Sequence, residues 1–280
     1  MASRIDACFS RLRREQRKGL IAYLTAGYPS QQSSVNIILE LSRVADAIEL
    51  GVPCTDPFFD GPVIRESHRR ALQASAGLSS VCQLIRSVRT AGLAKPIIVM
   101  MYMEQYRNHR LGALCAELSR AGADGLLLPE LQDSAMLEQA PLTTNGLALI
   151  PFVSPGTNEK SLIKLMSSGS GFVYLGSGAG PSGGSLAGQA QLSANVARIR
   201  KVTEMPVAIG IGIKSADDAR RAAACAEAII VGSAITALLQ DSMLDGEHLT
   251  SGWDERLQQF LLSLEKAISD RPASHRLTPV

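Results

Sequence analysis

The chain has 280 residues, 46% of them hydrophobic and 19% charged, enough to fill the core of one large α/β domain. Its formal charge of +2, from 28 basic and 26 acidic residues, supplies no field that would select nucleic acid or an anionic membrane. The five cysteines, odd in number and without a C-x-x-C pair, read as reduced thiols of a cytoplasmic protein rather than a disulfide framework or a zinc site.

The amino-terminal stretch MASRIDACFSRLRREQRKG is polar and amphipathic and lacks the apolar core of a secretory signal. It predicts a helix over 4–14, placed to close one end of a barrel. No segment reaches the roughly 18 apolar residues of a membrane span. Apolar runs then follow at 19–25, 47–50, 96–101, 125–128, 148–152, 171–175, 207–210 and 228–231. Helical periodicity fills the intervals at 32–43, 63–74, 79–90, 111–121, 134–139, 159–167, 190–202 and 216–225, with a last helix over 254–268. Local signals support the starts: Ser215 caps a first turn that carries Asp217 and Asp218.

The runs are too hydrophobic for a half-exposed antiparallel sheet, and each connection is long enough for a crossover helix. An open, doubly wound sheet would share these features. The count of eight, the glycine directly after the eighth run and the leading helix favour closure. The expectation is a TIM (β/α)8 barrel with an additional N-terminal helix, a single domain over 1–269, and a polar, fraying tail over 270–280. Aromatic residues are only 4% of the chain, so small aliphatics must build the core.

In such barrels chemistry gathers at the carboxyl ends of the strands. The second run leads into Glu49-Leu50-Gly51-Val52-Pro53-Cys54-Thr55-Asp56-Pro57-Phe58-Phe59-Asp60-Gly61-Pro62. A carboxylate on a buried strand is costly unless it is hydrogen-bonded or used, which singles out Glu49. Asp60 lies eleven positions on, within reach of a loop that folds back. The two could divide a proton-transfer task; a salt-bridged Glu and a capping Asp are the plainer alternative. A metal pair is disfavoured, because His68, His109, His248 and His275 are scattered along the chain.

Glycine turns after the seventh and eighth runs, holding Gly212 and Gly232-Ser233, suit either close packing or backbone amides approaching an anion; occurring together, with a short helix beginning near Ser233 that would aim its positive end there, they favour a phosphate. The Gly/Ser-rich stretch 176–185 reads either as a substrate lid or as a passive connection. Tyr23 and Tyr102 end apolar runs and suit either an aromatic-binding wall or ordinary core positions.

The segment from Glu49 to Pro62 closely resembles the E-L-G-x-P-x-S-D-P-x-A-D-G-P signature of the tryptophan synthase alpha subunit family. Tyr23-Leu24-Thr25-Ala26-Gly27-Tyr28-Pro29, Met101-Tyr102, Ala123-Asp124-Gly125 and the two late glycine turns follow in the family's order, over about residues 2–268. The resemblance implies a TIM barrel that cleaves indole-3-glycerol phosphate to indole and glyceraldehyde 3-phosphate. It gives Glu49 the role of acid–base at the ring carbon and substrate hydroxyl, and Asp60 that of the carboxylate on the indole N–H. Tyr23 and Tyr102 would flank the ring, and Gly183, Gly184, Gly212, Gly232 and Ser233 would hold the glycerol phosphate. It implies no cofactor in this chain, and a beta subunit carrying pyridoxal phosphate seated at the barrel mouth near Asp56 and Glu130 in an alpha-beta-beta-alpha complex.

Several positions depart from the family pattern. The loop after the sixth run has no arginine and carries Ser182 where threonine is customary. Thr55 replaces a serine, Phe59 replaces a small residue, and Glu130-Leu131-Gln132 replaces an aspartate-containing P-D-L-P type of turn. These departures leave two alternatives beside the lyase: an alpha-like subunit that mainly activates a beta partner, and a stand-alone enzyme that releases free indole.

Overall fold

The computed structural model describes residues 3–74, 76–106, 111–131, 146–176, 188–210, 212–244 and 248–269. Its strands are β1 (Gly19–Thr25), β2 (Ala47–Gly51), β3 (Ile97–Met100), β4 (Gly125–Leu127), β5 (Ala148–Ile150), β6 (Phe152–Val153), β7 (Val173–Leu175), β8 (Val207–Ile209) and β9 (Ala228–Val231). They form one sheet in the order β5-β4-β3-β2-β1-β9-β8-β7-β6, parallel throughout. Since only Pro151 separates β5 from β6, the two ends of that order meet in one segment and the sheet curls into the expected TIM barrel. The fifth run is therefore divided rather than continuous over 148–152. A proline has no N–H to give to either ladder, and its carbonyl instead accepts from the Tyr174 amide at 2.9 Å. The sixth run starts later than expected, at Val173, because Gly171 adopts a φ of +85° just before it.

Around the barrel lie α1 (Arg4–Arg14), α2 (Gln31–Val44), α3 (Pro62–Gln73), α4 (Leu78–Thr90), α5 (Met103–Tyr106), α6 (Leu111–Ala121), α7 (Glu159–Ser168), α8 (Gln189–Arg200), α9 (Ala216–Ala223), α10 (Ser233–Asp241) and α11 (Trp253–Ser269). Alternation along each strand separates two cores. Leu20, Ala22, Leu24, Ile48 and Leu50 face the helices, whereas Ile21, Tyr23, Ala47, Ile98 and Met100 face the barrel interior. The helix expected over 134–139 and the tail 270–280 lie outside the described residues.

Helix α1 closes the amino end of the barrel, as its amphipathic pattern predicts. Ile5, Cys8, Phe9 and Leu12 join the interior cluster, and Phe9 meets Phe172 at 5.4 Å between ring centroids. Two buried aspartates that precede strands fasten this helix. Asp124 accepts from Arg4 at 2.9 Å and from Arg89 at 2.6 Å; Asp46 accepts from Arg11 at 2.8 Å, from Arg17 at 2.6 Å and from the Leu20 amide at 3.1 Å. Asp46 is buried while Arg11 and Arg17 still reach water, so Asp46→Ala leaves chiefly the Leu20 amide unpaired and is expected to cost about 2 kcal/mol and about 4–8 °C in Tm. An unchanged thermal midpoint would show that the apolar face of α1 suffices. Among the described residues no helix is long and apolar enough to cross a membrane.

Candidate active site

The period of two that builds the barrel also delivers Glu49 to its interior. In β2, Ala47, Glu49 and Gly51 share the inward face, and Glu49 stands in register between Tyr23 of β1 and Ile98 of β3. It is 1% exposed, and its Oε1 has no hydrogen-bond partner among the described residues. Burial first, and the charge of Asp60 second, push its pKa up to about 8. The raised pKa favours the neutral, proton-bearing form of Glu49, the form suited to a group that exchanges protons.

Asp60 reaches the same space from the loop after β2. Its amide closes a turn on the Pro57 carbonyl at 2.8 Å, after which Gly61 and Pro62 start α3. Arg65 ties the loop down by donating to the Asp60 carbonyl at 2.8 Å and the Phe58 carbonyl at 3.2 Å. The Tyr102 hydroxyl donates to Asp60 Oδ2 at 2.7 Å, and Asp60 is 5% exposed. The structure therefore brings both acids to the barrel mouth.

A cavity of about 40 Å³ lies beside Asp60, lined among others by Tyr23, Tyr174, Gly212, Gly232 and Ser233. Gly212 adopts a φ of +59°, which a side-chain-bearing residue resists. Helix α10 begins at Ser233 as expected, with Gly232 as an N-cap that offers no side chain to its first amides. Uncapped amides at the start of a helix favour an anion. Tyr174 roofs Gly210 so closely that a Cβ there would stand 2.3 Å from its hydroxyl oxygen.

Volume alone would point elsewhere. Depressions of about 640 Å³ beside α10 and α11 and about 510 Å³ at the amino end are larger. The larger one shares Ser233 and Gly61 with the rim, but only the small cavity is lined by Asp60, Gly212 and Gly232 together, so the chemistry selects it. A ligand of ordinary size needs several hundred Å³, so side chains at its rim must move to admit one.

Aromatic rings pack together next to Asp60 and Tyr174. Phe59 contacts Phe152 at 5.2 Å and lies 24° from parallel with Tyr102 at 6.4 Å, while Phe152 contacts Tyr174 at 5.4 Å. The bulky ring at position 59 is accommodated by this packing. Gly183 and Gly184 lie outside the described residues.

At the rim, Gln105 donates to the carbonyls of Val52 and Pro53 at 2.7 and 2.6 Å. Glu104 accepts from the Thr55 amide at 3.0 Å and hydroxyl at 2.8 Å, and Glu130 accepts from the Met103 amide. Burial raises the Glu130 pKa, and Asp56 and Glu104 add to it by repulsion. Asp56 is exposed, and so are the nearby apolar side chains of Phe58 and Met103.

His68 was not singled out by the sequence, yet it bonds the loop that joins the two acids. Its Nδ1 accepts from the Cys54 amide at 3.1 Å and its Nε2 lies 2.9 Å from the Tyr23 hydroxyl. The signal was present in α3, whose buried face runs Ile64, Ser67, His68, Ala71 at helical spacing. Among the described residues no group of three His, Cys, Asp or Glu side chains converges as a metal site.

Known proteins of one kind share this architecture. The sequence profile of the family described as "Tryptophan synthase alpha chain" matches residues 9–265. The tryptophan synthase alpha chain of Xanthomonas euvesicatoria pv. vesicatoria is 38% identical over 271 residues, covering 96% of this chain and 99% of that protein. The alpha chain of Granulibacter bethesdensis is 37% identical, covering 87% and 88% respectively. Among solved structures, tryptophan synthase subunit alpha from Legionella pneumophila superposes with a TM-score of 0.84 at 27% identity, covering 96% of this chain and 99% of its own. A tryptophan synthase chain of Mycobacterium tuberculosis gives 0.84 at 28%, covering 97% and 100%.

Proposed function

The chain belongs to the tryptophan synthase alpha chain family, and from that membership and the paired acids at the barrel mouth we propose that it cleaves indole-3-glycerol phosphate to indole and glyceraldehyde 3-phosphate. The observation that carries this reading is Glu49: buried, its pKa raised by burial and by the charge of Asp60, and with a carboxyl oxygen that has no partner among the described residues. Glu49 gives its proton to the ring carbon that bears the glycerol chain, and the ring nitrogen becomes positive. Asp60 accepts the N–H and stabilises that charge, which exists only once the carbon is protonated. The carbon–carbon bond then breaks, its electrons returning to the ring. The chain hydroxyl becomes the aldehyde and passes its proton to the Glu49 carboxylate, so protons balance over the cycle. Tyr23 and Tyr102 flank the ring, and backbone groups at Gly212, Gly232 and Ser233, together with Gly183 and Gly184, hold the phosphate.

The exposed Phe58 and Met103 beside Asp56 and Glu130 support docking of a beta subunit at this mouth, in an alpha-beta-beta-alpha complex where that subunit carries the pyridoxal phosphate. Purified chain incubated with indole-3-glycerol phosphate is expected to release indole, and faster when the cognate beta chain is added. No indole under either condition, with the beta chain still accelerated, would replace the lyase by an activating subunit. An equal, high rate in both conditions would favour a stand-alone enzyme.

A further inference from the structure

One buried titratable side chain at the mouth has no part in these proton transfers. His68 is 1% exposed, and the Cys54 amide facing its Nδ1 can only donate, so Nδ1 accepts. Burial holds the ring's pKa down to about 4, so it is neutral and its single proton sits on Nε2, 2.9 Å from the Tyr23 oxygen. Tyr23 therefore accepts from His68 and has its own hydrogen for Thr25 Oγ1 at 3.3 Å. Ser67 donates to the Ile64 carbonyl at 2.7 Å, so it receives from Thr25 at 2.6 Å. Each hydrogen from the loop to α3 thus has one direction.

The ring so anchored spans the site. A Cβ at Gly232 would stand 3.0 Å from Tyr23 Cδ1, and one at Gly51 would stand 2.2 Å from its hydroxyl. Tyr23 thus lies between the anion turn and the end of the strand that carries Glu49. We propose that His68 is a positioning residue for the cleavage: by donating Nε2–H to Tyr23 it holds the ring that sets the spacing between the Gly232 turn and Glu49. This inference rests on the lyase reading.

Glutamine can place an amide N–H near the position of Nε2, whereas asparagine can place an acceptor near that of Nδ1. His68→Asn is expected to lose about tenfold in kcat, the worth of one neutral hydrogen bond, and His68→Gln to recover most of that loss. In a Tyr23→Phe background the difference between the two should vanish. Equal rates for the two variants in the native background, or a difference undiminished by Tyr23→Phe, would overturn the proposal. Ring nitrogen NMR supplies a readout independent of turnover. The histidine resonance lost in His68→Gln should show the Nε2–H form across neutral pH and shift in Tyr23→Phe. An Nδ1–H form, or a resonance indifferent to Tyr23→Phe, would refute the anchor. Absence of indole release from the native chain, with the NMR result as expected, would count against the lyase reading alone.

Discussion

Glu49→Gln is expected to lower kcat for indole release by about 10²–10⁴-fold, the usual contribution of a positioned acid–base. Glutamine keeps the shape of the side chain but cannot supply the proton, so substrate binding should change far less than turnover. On the proposed mechanism this group must be protonated, and with its pKa pushed up to about 8 activity should fall as pH rises through that value. The residual activity of Glu49→Gln should lack that limb. Stability carries the same signature. Because the folded pKa is raised from 4.5 to about 8, the contribution of Glu49 is fully present below the lower value and is lost as pH rises through the upper one. Glu49→Gln should therefore gain on the native chain in Tm over that interval. A variant that retains near-native turnover would remove Glu49 from the mechanism.

Asp60→Asn tests the second acid without disturbing its place. The asparagine carbonyl can still accept from the Tyr102 hydroxyl, now 2.7 Å from Asp60 Oδ2, so the loop should keep its seat. On the proposed mechanism what is lost is the negative charge opposite the ring nitrogen, and kcat should fall by about 10²–10³-fold. Asp60 is also the second cause of the raised Glu49 pKa. The falling limb of the pH profile should consequently move to lower pH in Asp60→Asn. Steady-state assays across pH check both statements, and an unmoved limb would mean that the two carboxyl groups do not sense each other.

The parts of this molecule that were legible in the sequence are those governed by short-range repetition. The apolar runs marked the strands, the polar amphipathic start marked α1, and the glycines marked the turns at Gly212 and Gly232. Glu49 stood out because a charge within a buried run conflicts with its surroundings. The division at Pro151 was missed because Phe152 and Val153 continue the apolar pattern across a residue that cannot join a ladder. His68 was missed for another reason: its partners, Cys54 and Tyr23, are distant in sequence and meet it only after α3 docks on the barrel. The clamps of Gln105 and Glu104 on the loop after β2 are likewise products of tertiary structure. The comparison with known proteins places the family, but it leaves the atoms that orient Tyr23 to be found in the fold.

The seating of α1 bears on traffic. With Ile5, Phe9 and Leu12 packed into the amino end, the described residues close that end, so on the proposed lyase reading substrate and products pass at the opposite rim. A protein docked on that rim would govern arrival and departure together, and could take the departing ring directly without releasing it into solvent.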